Sequence, residues 1–233
     1  MKRIFIPTAT GSDWQRFLAK PVLHWKKGAS AMTTAACWEA AGDTLPSEIS
    51  ALLDASGIEA LAELQLLAAI PEWETPLPGG SRASHTDVLA LCRNSAGLCV
   101  IGVEAKVDED FGPTIGEKRR TESPGQAARL TYLQELLRVV SLEDQLRYQL
   151  LHRTAAALLT AEQFHASSAI MLVQSFGGRP ELRADFDAFA QALGGTEVCG
   201  GLYAIERPSG PLLYLAWCEG NKKFLQVELP SAL

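Results

Sequence analysis

The chain has 233 residues, of which 47% are hydrophobic and 21% charged, and its net charge is −6. That length suits one well-packed domain rather than two, and the composition is ordinary for a globular protein and far from the disordered range. An acidic chain has no general attraction for nucleic acid, so any such binding has to come from a local basic patch.

Such a patch has a possible source. Residues 1–30 carry Lys2, Arg3, Arg16, Lys20, Lys26 and Lys27 against Asp13, whereas residues 31–80 hold eight acids and no Lys or Arg. Solvated faces of opposite sign account for the same pattern. The longest apolar runs, 97–103 and 168–173, have strand length, and Ile4-Phe5-Ile6 before Pro7 is too short for a signal-peptide core. No membrane association is expected. The cysteines are Cys37, Cys92, Cys99, Cys199 and Cys218, an odd set without a CxxC. They suggest neither a disulfide framework nor a zinc ribbon, and a reducing cytoplasm is the expected setting.

Residues 1–64 read as mainly helical. Thr10 or Ser12 caps a helix carrying Trp14, Phe17 and Leu18, which stops before Pro21. A second helix runs from Ser30 to Ala41 and ends at Gly42, and a third opens at Pro46 and meets Gly57. Residues 65–175 read as a sheet core, with strands at Leu66–Glu74, Thr86–Arg93 and Leu98–Val107. The last two are joined by a four-residue loop, Asn94-Ser95-Ala96-Gly97. One helix then starts near Pro124, and another is capped by Ser141, with Asp144 three residues later, and runs to Gln163. A buried strand at Ala169–Gln174 follows. The remainder, 176–233, reads as a helix at 181–192 and strands near 199–206, 211–218 and 223–228. The expected class is α/β with a mixed sheet, an N-terminal helical region and extra C-terminal strands.

The strongest local signal is Val100-Ile101-Gly102-Val103-Glu104-Ala105-Lys106. Side chains alternate across a strand, so Glu104 and Lys106 share one face. If Arg93 faces Leu98, paired positions sum to 191, and 191 − 104 = 87 sets Glu104 opposite Asp87. The same count sets Cys92 opposite Cys99 and His85 opposite Lys106. Facing carboxylates repel unless something positive lies between them, and a divalent cation with hard oxygen ligands meets that need. An ion-pair cluster at a strand end is the plainer alternative.

Asp87, then one hairpin, then Glu104-Ala105-Lys106 resembles the motif of the PD-(D/E)XK phosphodiesterases, the restriction-endonuclease-like superfamily. Thr86 stands where the name-giving proline would be. The order helix, three strands, helix, strand over 46–175 is similar to that superfamily's core, and Asp144–Gln149 resembles the Gln/Tyr helix of its RecB-like members. The chain also resembles a family of uncharacterised bacterial proteins of about this length, through His24-Trp25-Lys26, Cys37-Trp38-Glu39 and Arg147–Thr154.

The resemblance implies a nuclease-like protein. Asp87, Glu104 and the Ala105 carbonyl would hold Mg²⁺ or Mn²⁺, and Lys106 would orient the attacking water. Glu39, Glu72 or Glu74 would supply a further acid, and Gln149 a polar contact beside the metal. His24, Lys26, Arg147 and His152 are candidates for contact with a nucleic acid. Gln145, Gln149 and His152 also share one stripe at helical spacing, which suits a solvated face as well as a site. The alternative function is a catalytically inactive binding or regulatory protein on the same scaffold.

Overall fold

The computed structural model describes residues 10–80, 83–121 and 123–233. The Lys2–Pro7 segment considered above lies outside them. A seven-stranded mixed sheet organises the chain, in the order β1-β2-β3-β4-β7-β6-β5. Its strands are β1 (Gln65–Thr75), β2 (Ser84–Asn94), β3 (Gly97–Lys106), β4 (Ser168–Ser175), β5 (Thr196–Cys199), β6 (Leu202–Ile205) and β7 (Leu212–Glu219). β1, β2 and β3 pair antiparallel, β3, β4 and β7 pair parallel, and β6 and β5 close the far edge antiparallel.

Two apolar layers cover the sheet. On one face lie α1 (Pro21–His24), α2 (Ser30–Ala41) and α3 (Ser47–Ala55), which bring Trp25, Trp38, Ile49 and Leu53 onto Cys99, Ile101, Val103 and Ala105 of β3. α2 stops where Gly42 takes φ 71°, a conformation that glycine adopts without steric cost. On the other face lie α4 (Ile115–Arg120), α5 (Pro124–Leu137), α6 (Tyr148–Gln163) and α7 (Pro180–Ala192), which pack Leu133, Leu150, Leu158 and Phe186 against Val100, Met171 and Leu215. Central strands covered on both faces read as near-continuous apolar runs, which is why β3 and β4 lack polar alternation until their C-terminal ends.

The hairpin register is the one that the sum of 191 requires, with Arg93 facing Leu98 and Cys92 facing Cys99. The connection is tighter than expected: Asn94 pairs with Gly97, so only Ser95 and Ala96 form the turn, and the Asn94 side chain accepts the Ala96 N–H at 2.9 Å.

Other elements differ from the sequence reading. The helix capped by Ser141 does not form there; residues 141–147 are irregular and α6 begins at Tyr148. The backbone of this stretch is claimed from outside: Ile115 donates its N–H to the Leu146 carbonyl, Gly116 to that of Asp144, and Thr114 bridges Arg147. Leu142 and Leu146 are still buried, so their helical spacing reflects core contacts made by an irregular, turn-containing chain. Gln145 therefore shares no stripe with Gln149 and His152. α4, which had no counterpart in the sequence reading, carries a capping box in which Thr114 and Glu117 exchange hydrogen bonds.

The first predicted helix is a 3-10 helix, Gly11–Phe17, capped by Thr10, and residues 58–64 are turns. The strand expected at 199–206 is a hairpin of β5 and β6 that turns at Gly200-Gly201, and that at 223–228 is mostly a 3-10 helix, Lys222–Gln226. No helix among the described residues is long and apolar enough to cross a membrane.

Candidate active site

The C-terminal end of β3 turns polar inside the protein. Glu104 and Lys106 are both only 3% exposed, and they face α6. The helix comes close because Gly102, two residues earlier on the same strand face, has no side chain. A Cβ there would stand 3.2 Å from the Ala157 methyl. Along a helix four residues rise about 6 Å, and along a strand two residues rise about 6.6 Å, so every fourth residue of α6 meets every second residue of β3. Ala157 thus lies over Gly102, Arg153 reaches Glu104, and Gln149 reaches Lys106.

These contacts bind the cluster tightly. Lys106 donates to Glu104 Oε1 at 2.7 Å and to Gln149 Oε1 at 3.0 Å, while Gln149 Nε2 donates to Glu104 Oε1 at 2.8 Å. The Arg153 guanidinium pairs with Glu104 Oε2 and reaches Ser84 Oγ at 3.0 Å, and the Lys106 ammonium sits 5.2 Å from the centroid of the buried Phe111 ring. Burial pushes the Glu104 carboxyl up, but the charges of Arg153 and then Lys106 outweigh it and hold it at about 2. Glu104 is therefore an ionised carboxylate with both oxygens engaged.

Asp87 lies beside it on the same face. The β2–β3 ladder is paired only as far as Val88 and Val103. Beyond that point the Asp87 side chain replaces the ladder and accepts the Ala105 N–H at 2.7 Å. Burial, and next the Glu104 charge, raise its pKa to about 7. In register on β1, between the paired residues Pro71 and Trp73, Glu72 takes φ 51°, a left-handed conformation that costs a non-glycine residue about 1–3 kcal/mol. Burial, followed by the charge of Asp87, raises Glu72 to about 9. On β4, Ser175 pairs with Lys106, and its buried hydroxyl has no hydrogen-bond partner.

The cluster therefore holds three carboxylates, Glu72, Asp87 and Glu104, against two cations, Lys106 and Arg153. Arg153 is the member that the sequence reading missed. Its signal was the Gln149, Arg153, Ala157 spacing on α6, which a stripe drawn through Gln145 and His152 concealed.

The remaining candidates lie elsewhere or act at a distance. Glu39 accepts from Trp14 Nε1 at 2.9 Å, and His24 and Lys26 flank the buried Trp25; all three belong to the layer on the other face of the sheet. Glu74 is exposed, 3.7 Å from His85, and reaches the cluster only through its charge on Glu72. Arg147 pairs with Asp185 at 2.7 Å and donates to the Gly112 carbonyl at 2.9 Å. His152 Nδ1 meets Ser84 Oγ at 2.9 Å. Burial, with help from the Arg153 charge, lowers its pKa to about 3, so the ring is neutral.

Among the described residues no group of three or more His, Cys, Asp and Glu side chains is gathered so as to hold a metal ion. The donor chemistry still fits a hard divalent cation. The oxygens belong to carboxyl groups, Glu72 and Asp87 are raised first by burial and then by neighbouring carboxylate charge, and Ser175 leaves a polar atom unpaired in the same row. A cavity of about 340 Å³ leads from solvent to Lys106, Gln149 and Arg153. Its lining includes none of the three carboxylates, because Arg153 covers Glu104.

Fold and site together define a mixed-sheet α/β protein with a buried carboxylate–cation centre at the end of its central strand. The chain belongs to the family described as a domain of unknown function, DUF6946, which it matches over residues 7–222. No curated protein and no solved structure matches it.

Proposed function

We propose that this protein is a divalent-metal-dependent phosphodiesterase acting on nucleic acid, built on a restriction-endonuclease-like core. The observation that carries the reading is the convergence of Asp87, Glu104 and Lys106 on one face of two neighbouring strands, with Glu72 adding a third carboxylate. The order α3, β1 to β3, α4 to α6, β4, with β4 parallel to β3, supports it. Asp87 and Glu104, with Glu72 and the Ala105 carbonyl, would hold Mg²⁺ or Mn²⁺, which would supply Lewis acidity toward the phosphate.

The chain's own residues supply the rest. Lys106 is a buried ammonium with two of its three donors engaged, so one remains for a water or a phosphate oxygen. Arg153 offers the planar fork that suits phosphate. A phosphate arriving through the cavity would draw the guanidinium from Glu104 and free Oε2. Neutral His152 holds Ser84, which Arg153 also contacts, and so fixes the resting position of the guanidinium. Five free thiols fit a reducing cytoplasm.

The test is cleavage of single- and double-stranded DNA and RNA with Mg²⁺ or Mn²⁺. Lys106→Ala and Glu104→Gln should each lower kcat by about 10²-fold or more. Activity that survives both substitutions removes the assignment.

One observation favours a second reading, a catalytically inactive binding or regulatory protein: both Glu104 oxygens are already satisfied by protein donors. Metal binding without cleavage on any of these substrates would select it.

A further inference from the structure

Beside the cluster lies a second cavity of about 440 Å³, lined by Leu77, Ser84, Lys118, Arg129, Tyr148 and His152 among others. Lys118, Tyr148 and His152 also line the cavity that reaches Lys106, so the two spaces share a wall. That wall is aromatic and cationic. The Tyr148 and His152 rings lie 4.9 Å apart at 52°, and the Lys118 ammonium lies 4.9 Å from the Tyr148 centroid. Arg129 donates to the Leu77 and Pro78 carbonyls on the opposite side. Among the described residues the lining contains no Asp or Glu, on a chain whose net charge is −6.

We infer that this cavity takes an unpaired nucleotide and that the substrate is single-stranded nucleic acid, an inference that rests on the phosphodiesterase reading of the neighbouring cluster. The volume falls within the roughly 300–1,000 Å³ of small-ligand sites. A recessed aromatic wall can stack only on a base whose faces are free, and bases within a duplex are covered by their neighbours. The entering base takes the place of Lys118 on the Tyr148 ring, and the released ammonium pairs with the phosphate. His152, anchored to Ser84, limits the depth of the slot. Because Ser84 also holds Arg153, the stacked nucleotide brings the next phosphate toward Arg153 and Lys106.

The experiment is fluorescence anisotropy in chelator, where no cleavage occurs, with labelled oligothymidylate, oligouridylate and a blunt DNA duplex. The single strands should bind at least about tenfold more tightly than the duplex, and the two oligonucleotides separate DNA from RNA preference. Tyr148→Leu should weaken single-strand binding about tenfold, in line with the loss of one stacked base, while Tyr148→Phe binds like wild type. Lys118→Gln should reduce the slope of log K against log salt by about 0.7. Duplex binding as tight as single-strand binding overturns the inference, as does folded Tyr148→Leu that binds normally. Should Tyr148→Leu not fold, an unchanged salt slope in Lys118→Gln overturns it alone. Tyr148-dependent binding without cleavage on adding Mg²⁺ or Mn²⁺ would sink the phosphodiesterase reading and leave the pocket standing. Cleavage of duplex indifferent to Tyr148 would do the reverse.

Discussion

The Asp87 carboxylate accepts the backbone N–H of Ala105 at 2.7 Å, just beyond the last paired residues of the β2–β3 ladder, Val88 and Val103. One side chain thus closes the sheet where the strands part and holds a carboxylate beside Glu104.

The two roles separate by substitution. Asp87→Ala leaves a buried N–H unpaired and should cost about 1–3 kcal/mol in urea unfolding. Asp87→Asn keeps an acceptor oxygen and should cost little stability, while losing the charge on which the proposed metal binding depends. Equal stability losses in the two variants would contradict this division.

The Arg153–Glu104 pair predicts strong coupling. Removing one partner of a buried ion pair leaves an uncompensated charge, so Arg153→Met alone should cost about 3–5 kcal/mol. Combining it with Glu104→Gln should recover much of the loss, because the amide no longer needs the guanidinium while its oxygen still accepts from Lys106 and Gln149. A double-mutant cycle on chemical denaturation measures this, and additive losses would contradict it.

Much of this geometry was legible in the sequence. Loop length and strand alternation set the hairpin register and the shared face of Asp87, Glu104 and Lys106. A one-residue slip would have moved the apolar set Cys99, Ile101, Val103 to the opposite face of the sheet and taken Asp87 off the face of Glu104. Arg153 and the start of α6 were hidden for one reason. Leu142, Leu146 and Leu150 are buried at helical spacing, yet the first two sit on irregular chain whose carbonyls at 142, 144 and 146 are taken by Arg119, Gly116 and Ile115. Local periodicity cannot register a hydrogen bond to a partner some thirty residues away. Glu72 stood in the sequence only as one of three candidate acids with Glu39 and Glu74, since the left-handed φ that marks it out arises between the β1–β2 pairs on either side of it.

Glu72 predicts the pH dependence. Its ordinary value is 4.5 and the folded value is about 9, so between them the folded chain holds a proton that the unfolded chain has released. Its contribution to stability is then full below about pH 4.5 and lost as pH rises toward 9. In chelator, Glu72→Gln should raise Tm over wild type by at least about 2 °C near pH 8, and by much less near pH 5. A Tm difference that is constant across this range would contradict the raised pKa.

Lys106 should affect chemistry more than substrate affinity. Lys106→Met, which keeps the aliphatic stem over Phe111, should lower kcat by about 10²-fold with little change in KM in steady-state cleavage assays. A change confined to KM would make Lys106 a binding group only.

The most direct measurement is calorimetric titration of Mn²⁺ into the wild-type chain, Asp87→Asn and Glu104→Gln. One ion should bind per wild-type chain, and both variants should lose that binding. No binding to the wild type, or binding that neither substitution alters, would contradict the proposed metal site.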